Sequence, residues 1–221
     1  MQSTERFVLQ AIDPSTGCIV LDVAFEGGDW QELCSQIQLA FSDLNPSATY
    51  DLNKSDVDRI KKRFKIDFEP GTFDVTVRAW RPIDGLPYKV HTGRELALML
   101  KGTKPLAVFV EDYPLAPAHE EIIPESLFAP YVVSGRFLKR EHITNYSDRE
   151  ASGRERKLRV VCYAQPDQQW RIEAYLLLRK VGFSSGWSPG FERMEGTLLG
   201  YEDWQNEAYM EMIYRARSPA H

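Results

Sequence analysis

The chain has 221 residues, 43% hydrophobic and 27% charged, with a formal net charge of −5. That size and balance suit a buried core under a water-facing surface, while the acidic surplus argues against a dedicated nucleic-acid binder, which needs excess Lys and Arg to neutralise phosphates. No apolar run reaches the roughly 20 residues that span a bilayer.

The first six residues lack the basic-then-apolar layout of a signal peptide. The three cysteines, Cys18, Cys34 and Cys162, are scattered and odd in number, which fits inert core thiols better than disulfides or a zinc ribbon. The expectation is a soluble, cytoplasmic protein with no membrane association.

Residues 6–13 alternate as a strand, Pro14 to Gly17 carries turn residues, and residues 18–25 read as the returning strand. Gly27 and Gly28 break it. From the cap Asp29, apolar residues from Trp30 and Leu33 through Ile37 and Phe41 to Leu44 recur at helical spacing until Asn45-Pro46. A shorter helix is expected from Ser55, with Ser55 and Asp58 as a capping box, to about Phe64. The spacing Ala11-x-x-Pro14-x-x-Gly17 returns as Ala79-x-x-Pro82-x-x-Gly85, which suggests a duplicated β-hairpin–helix unit. Its second hairpin would cover residues 73–91 and its helix would begin at Thr92, with Glu95 completing the cap. Gly102 ends that helix, and residues 105–110 form a short strand.

Pro114, Pro117, Pro124 and Pro130, with Glu120, Glu121 and Glu125, make residues 113–130 a stiff acidic connection. It separates an N-terminal half (1–112) from a C-terminal half (131–221), although the two halves also read as one compact domain. Residues 139–157 are polar and read as a long exposed loop, followed by a strand at 158–164. A helix over 168–181 is apolar nearly all round and is expected to be buried on most sides. A last helix spans about 202–217. The class is α+β: antiparallel hairpins with packed helices, then an aromatic-rich helical C-terminal half.

The phrase W-x-x-E-A-Y occurs twice, at Trp170, Glu173 and Tyr175 and again at Trp204, Glu207 and Tyr209. Three residues apart on a helix, Trp and Glu share a face. Trp170 is expected to be buried, and Glu173 in an apolar helix then needs a partner such as Arg171, Arg179, an arginine of the 154–159 run or a ligand's cation. Facing one another, Glu173 and Glu207 would share a proton or a metal, but neither has the His at i+3 of di-iron helices. Asp112 with His119, Glu120 and Glu121 matches no ligand spacing. No metal and no cofactor is assigned.

Residues 136–159 hold eight basic side chains against four acidic ones. Arg136, Lys139, Arg140, Arg154 and Arg156 are its candidates for holding an anion or an acidic partner, and His142, with Glu173 second, is the candidate general base. Five of the fourteen glycines fall between residues 182 and 200, around Trp187 and Arg193. No phosphate-loop or dinucleotide fingerprint accompanies them, so the segment reads as a shaped surface loop. Neither a G-x-S-x-G box nor a Cys with a neighbouring His is present.

These features favour a binding or regulatory protein of the adaptor, inhibitor or immunity type, without catalysis. It would engage a protein partner through Trp187, Arg193, Glu207 and the basic segment, because aromatics and Arg dominate interface energetics. A small anionic ligand is the other partner class. The alternatives are an enzyme acting on a phosphate-bearing small molecule with His142 or Glu173 as base, or an RNA-binding protein that uses the basic segment with Tyr146 and Trp187 for stacking.

Overall fold

The computed structural model describes residues 5–37, 45, 47–114, 123–147 and 155–215. The chain parts into two compact units, Met1–Arg94 and Glu95–His221. Each is built on one antiparallel sheet, and the class is α+β.

The first unit contains β1 (Arg6–Asp13), β2 (Cys18–Glu26), α1 (Trp30–Ile37), β3 (Thr49–Leu52), α2 (Lys54–Phe64) and β4 (Asp74–Ala79), with strand order β2-β1-β4-β3. Alternation along β1 and β4 sends Phe7, Leu9, Ala11, Val75 and Val77 to one face. There they form a core with Trp30 and Leu33 of α1 and Val57 and Ile60 of α2. Phe7 meets Trp30 edge-on at 4.8 Å, and a Cβ on Gly27 would come within 2.6 Å of the Phe7 ring, so the strand can pass there only without a side chain. The opposite face of the same strands carries Gln10, Thr76 and Arg78, all buried.

Three expectations need correction in this unit. The cap of α2 is Asn53, whose side chain accepts from the Asp56 backbone while the Asp56 carboxylate accepts from the Asn53 backbone; Ser55 lies inside the helix. Strand β3 fills the stretch between the two expected helices, where no strand was expected. The duplicated hairpin does not form: β4 pairs with β1 and β3, Pro82–Gly85 is a short 3-10 turn, and residues 88–91 form no strand. The shared spacing reflects the common use of Pro and Gly in turns. Residues 38–44 of the first helical pattern lie outside the described residues.

The second unit contains α3 (Glu95–Leu100), β5 (Leu106–Tyr113), α4 (Glu125–Val133), β6 (Leu138–Ser147), β7 (Glu155–Ala164), α5 (Gln169–Ser185), α6 (Pro189–Leu198) and α7 (Asp203–Arg215), with strand order β5-β7-β6. The strand expected at the end of an N-terminal half therefore belongs to the second sheet. The polar stretch expected as a long loop is instead most of the β6–β7 pairing, in register from Leu138 opposite Ala164 to Ser147 opposite Glu155. Its polar side chains sit on an edge strand: Lys139, Arg140, Glu141, His142 and Ile143 of β6 are all exposed.

On one face of this sheet Leu106, Val160, Cys162 and Ala164 pack beneath Ile172, Tyr175 and Leu178 of α5 and Leu198 of α6. On the other, Phe109, Phe128 of α4 and Tyr163 form an aromatic cluster, with Phe128 stacked on Tyr163 at 4.2 Å. The glycine-rich segment is two helices and a short turn, because α5 continues to Ser185 and Ser188 caps α6 by accepting from the Phe191 backbone at 3.3 Å.

Helix α5 departs most from expectation. Only Ile172, Tyr175, Leu178 and Gly182 of it are buried, whereas Trp170 is 55% and Leu177 62% exposed. All three cysteines are buried, and burial pushes the Cys162 thiol up to about 12, so it stays protonated and unreactive. Among the described residues no helix is long and apolar enough to cross a membrane.

Candidate functional site

Helix α5 packs on the sheet through Ile172, Tyr175 and Leu178 and leaves a groove along one flank. The groove encloses about 470 Å³, within the range of small-molecule pockets. Its floor follows directly from strand register. Val110, Val160 and His142 lie opposite one another across β5, β7 and β6, with Arg140 beside Cys162 and Thr144 beside Leu158 on the same face. Its wall is Glu173, Leu176, Leu177, Lys180 and Phe183, whose three- and four-residue spacing makes one helix face.

Three cations, Arg140, Arg179 and Lys180, line this groove against one carboxylate, Glu173. Arg140 and Glu173 form an ion pair from β6 to α5. Arg179 reaches Glu195 of α6 at 3.4 Å and stacks over Phe183 and Trp187 at 5.0 and 4.9 Å. Burial raises the Glu195 carboxyl above its ordinary value, only partly opposed by the Arg179 charge and a hydrogen bond from Tyr175. Lys180 makes no ion pair among the described residues, so its charge is available in the groove.

Beside the groove runs a second sector of α5. Trp170, Leu177 and Val181 are exposed and Ala174 is half-buried; their 4-3-4 spacing sets them in a single stripe. Leu177 belongs to both stripe and groove wall. The Arg171 guanidinium lies over the Trp170 ring at 4.7 Å, and Trp170 stays 55% exposed beside it.

His142, Glu173 and Arg140, singled out in the sequence, thus meet in this groove. The other candidates do not. Arg136 donates to the Leu100 carbonyl at 2.7 Å, Lys139 pairs with Glu125 of α4, and Arg193 pairs with Glu207 at 2.6 Å between α6 and α7. Glu173 and Glu207 therefore each hold an arginine rather than each other. The Trp187 indole donates to Glu192 and packs on Phe191, and a Cβ on Gly182 would lie 2.5 Å from its ring. At Gly196 a Cβ would lie 1.9 Å from the Asn206 side chain. These glycines permit close helix packing rather than cradle an anion. Arg154 lies outside the described residues, as does the side chain of Arg156, and so do His119, Glu120 and Glu121. Among the described residues no three metal-ligating side chains cluster.

The sequence reading missed Lys180 and the outward role of Leu177. The signal available was Glu173 and Lys180, seven residues apart on one face of a helix otherwise read as core.

Comparison with family models, with curated proteins and with solved structures gives no match.

Proposed function

We propose that the chain is a cytoplasmic binding protein of the adaptor, inhibitor or immunity type that holds a partner protein on the outward flank of α5. The segment it takes is acidic and apolar. Its apolar side chains cover Trp170, Leu177 and Val181, and its carboxylates enter the groove toward Lys180, Arg140 and Arg179. The observation that carries this reading is the exposed 4-3-4 stripe running beside a groove with three cations and one carboxylate. Solvent-facing apolar stripes of helical length are characteristic of helix-in-groove recognition, and the charge imbalance favours an acidic partner.

The test is affinity capture from the cell that makes the protein, with wild type beside Leu177→Asp and Lys180→Glu. One stoichiometric partner lost in both variants, with moderate salt dependence, supports the reading. A partner retained by both places recognition elsewhere.

A second reading, an enzyme for a phosphate-bearing small molecule, draws on His142 and Glu173 facing the same cavity. Turnover of a phosphate ester that falls in His142→Ala would favour it. The RNA reading has less support, because the Trp187 ring meant for stacking is engaged by Arg179 and Phe191.

A further inference from the structure

A second cavity, of about 360 Å³, lies within the first unit on the sheet face opposite its apolar core. Strand register places Asp22 and Thr76 opposite Gln10, and Thr49 opposite Arg78, all on that face. A sheet face under a covering segment is ordinarily apolar. This one has a charged floor built from side chains that are themselves held. Arg78, almost wholly buried, donates to both oxygens of Asp84 at 2.7 Å and to Gln10 at 3.3 Å. Asp84 also accepts from the Arg81 backbone at 2.7 Å. Asp22 holds Lys89 at 2.6 Å and Arg94 at 2.5 Å. Largely buried ion pairs such as Arg78–Asp84 and Arg94–Asp22 give little net stability compared with apolar residues of similar volume, so packing alone does not account for them.

The charge count gives the ligand its sign. Arg78, Arg81, Lys89 and Arg94 line the cavity against only Asp22 and Asp84. Each carboxylate is already engaged, and the Arg81 guanidinium makes no ion pair among the described residues. Burial and then the neighbouring Arg78 charge lower the Arg81 pKa, as expected where positive charge is concentrated. Ile19, Ile83, Leu86, Pro87 and Val90 add apolar wall beside Tyr88. Gly93, at φ +75°, lets the chain pass where a Cβ would lie 2.7 Å from Ile19.

We propose that this cavity binds a phosphate monoester with a compact apolar or aromatic body. The dianion lies between Arg81 and Lys89 above the fixed Arg78–Asp84 floor, and the body lies on the Leu86–Pro87–Tyr88 wall. A phosphate monoester is close to dianionic at neutral pH, which matches the two excess cations, and guanidinium groups bind its oxygens bidentately. The site is separate from the α5 groove and does not depend on the reading given to that groove.

The probe is phenyl phosphate, titrated calorimetrically into the full chain, with inorganic phosphate and phenol as partial ligands. Phenyl phosphate is expected to bind more tightly than inorganic phosphate, and phenol not measurably. Arg81→Gln, at a residue with no ion pair among the described residues, is expected to weaken binding about tenfold or more. Lys89→Gln, which leaves Asp22 paired with Arg94, does the same and serves if Arg81→Gln does not fold. Lys180→Gln in the other unit leaves binding unchanged. The proposal is overturned if phenyl phosphate gives no binding heat, if phenol binds as well, if both cavity variants bind like wild type, or if Lys180→Gln removes the binding. Equal binding of benzoate and phenyl phosphate would also overturn the assignment to phosphate.

Discussion

Arg140 on β6 and Glu173 on α5, 33 residues apart in the chain, form an ion pair between two residues that line the groove. Both side chains are about half exposed, so water screens the attraction and the pair contributes at most about 1 kcal/mol. Glu173→Gln is therefore expected to move the urea midpoint little, with unchanged slope. It should also tighten binding of an acidic partner, because Arg140 loses its internal counter-charge. A loss of several kcal/mol would mean that the carboxylate is a core partner after all.

Trp170 and Tyr175 belong to the same repeated phrase yet face opposite ways. With Trp170 55% exposed and Tyr175 buried, Trp170→Ala should cost less than about 1 kcal/mol, whereas Tyr175→Ala should cost about 3–5 kcal/mol. Chemical denaturation of the two variants side by side checks this. Equal effects would contradict the orientation of α5.

Arg159, at the centre of the second sheet, is the structural arginine of the basic segment. Its guanidinium meets Glu111, Glu125 and Glu141 at 2.6–2.7 Å, and the Glu111 side chain is only 2% exposed. Hydrogen bonds from Arg159 hold the Glu125 and Glu141 carboxyls below their usual range. Arg159→Ala leaves three carboxylates crowded around a lost cation and should cost about 3–5 kcal/mol. Because both folded-state values are depressed, the stability these two carboxylates contribute is present above their unfolded value. It is lost as pH falls through the lower folded one, and the variant should show a shallower acid limb.

Lys104 is almost wholly buried, with its ammonium donating to the Leu199 carbonyl at 3.2 Å. Burial, only partly opposed by Glu95, lowers its pKa to about 8. Between about 8 and the ordinary value of about 10.4 the unfolded chain binds a proton that the folded chain does not. Stability should therefore rise with pH across that window. Lys104→Met removes the rise and stabilises the protein at pH 7 by up to about 3 kcal/mol. Thermal denaturation from pH 7 to 10 measures both effects, and parallel curves for wild type and variant would contradict them.

Much of the fold was legible where a local pattern and a burial pattern coincide. The first hairpin, the helix from Trp30, strand β7 and the last helix all announce themselves by period. The β6–β7 pairing did not, because Arg140, His142 and Thr144 alternate with Glu141, Ile143 and Asn145, of which only Ile143 is apolar, and only long-range pairing with Val160 and Cys162 makes a strand of them. Helix α5 was misjudged because composition cannot separate an apolar side chain that packs inward, such as Ile172, from one that faces out, such as Leu177. The candidate site was legible in part. Arg140, His142 and Glu173 stand out in the sequence, but their meeting depends on sheet register and on the return of α5 over the sheet. The first unit's charged cavity was not legible at all, since Arg78 and Asp84 look like ordinary surface residues until the chain folds back over them.

The most direct measurement of the central claim is site-specific photo-crosslinking in the native cell, with a photoreactive amino acid in place of Leu177 and, as a control on the other unit's exposed surface, in place of Val20. The account expects one discrete protein adduct from position 177, none from position 20, and loss of the adduct when Lys180→Glu is added. The crosslinked partner peptide should be acidic and carry apolar residues at helical spacing. No adduct from position 177, or one that persists unchanged in Lys180→Glu, would contradict the assignment of the α5 flank as the binding surface.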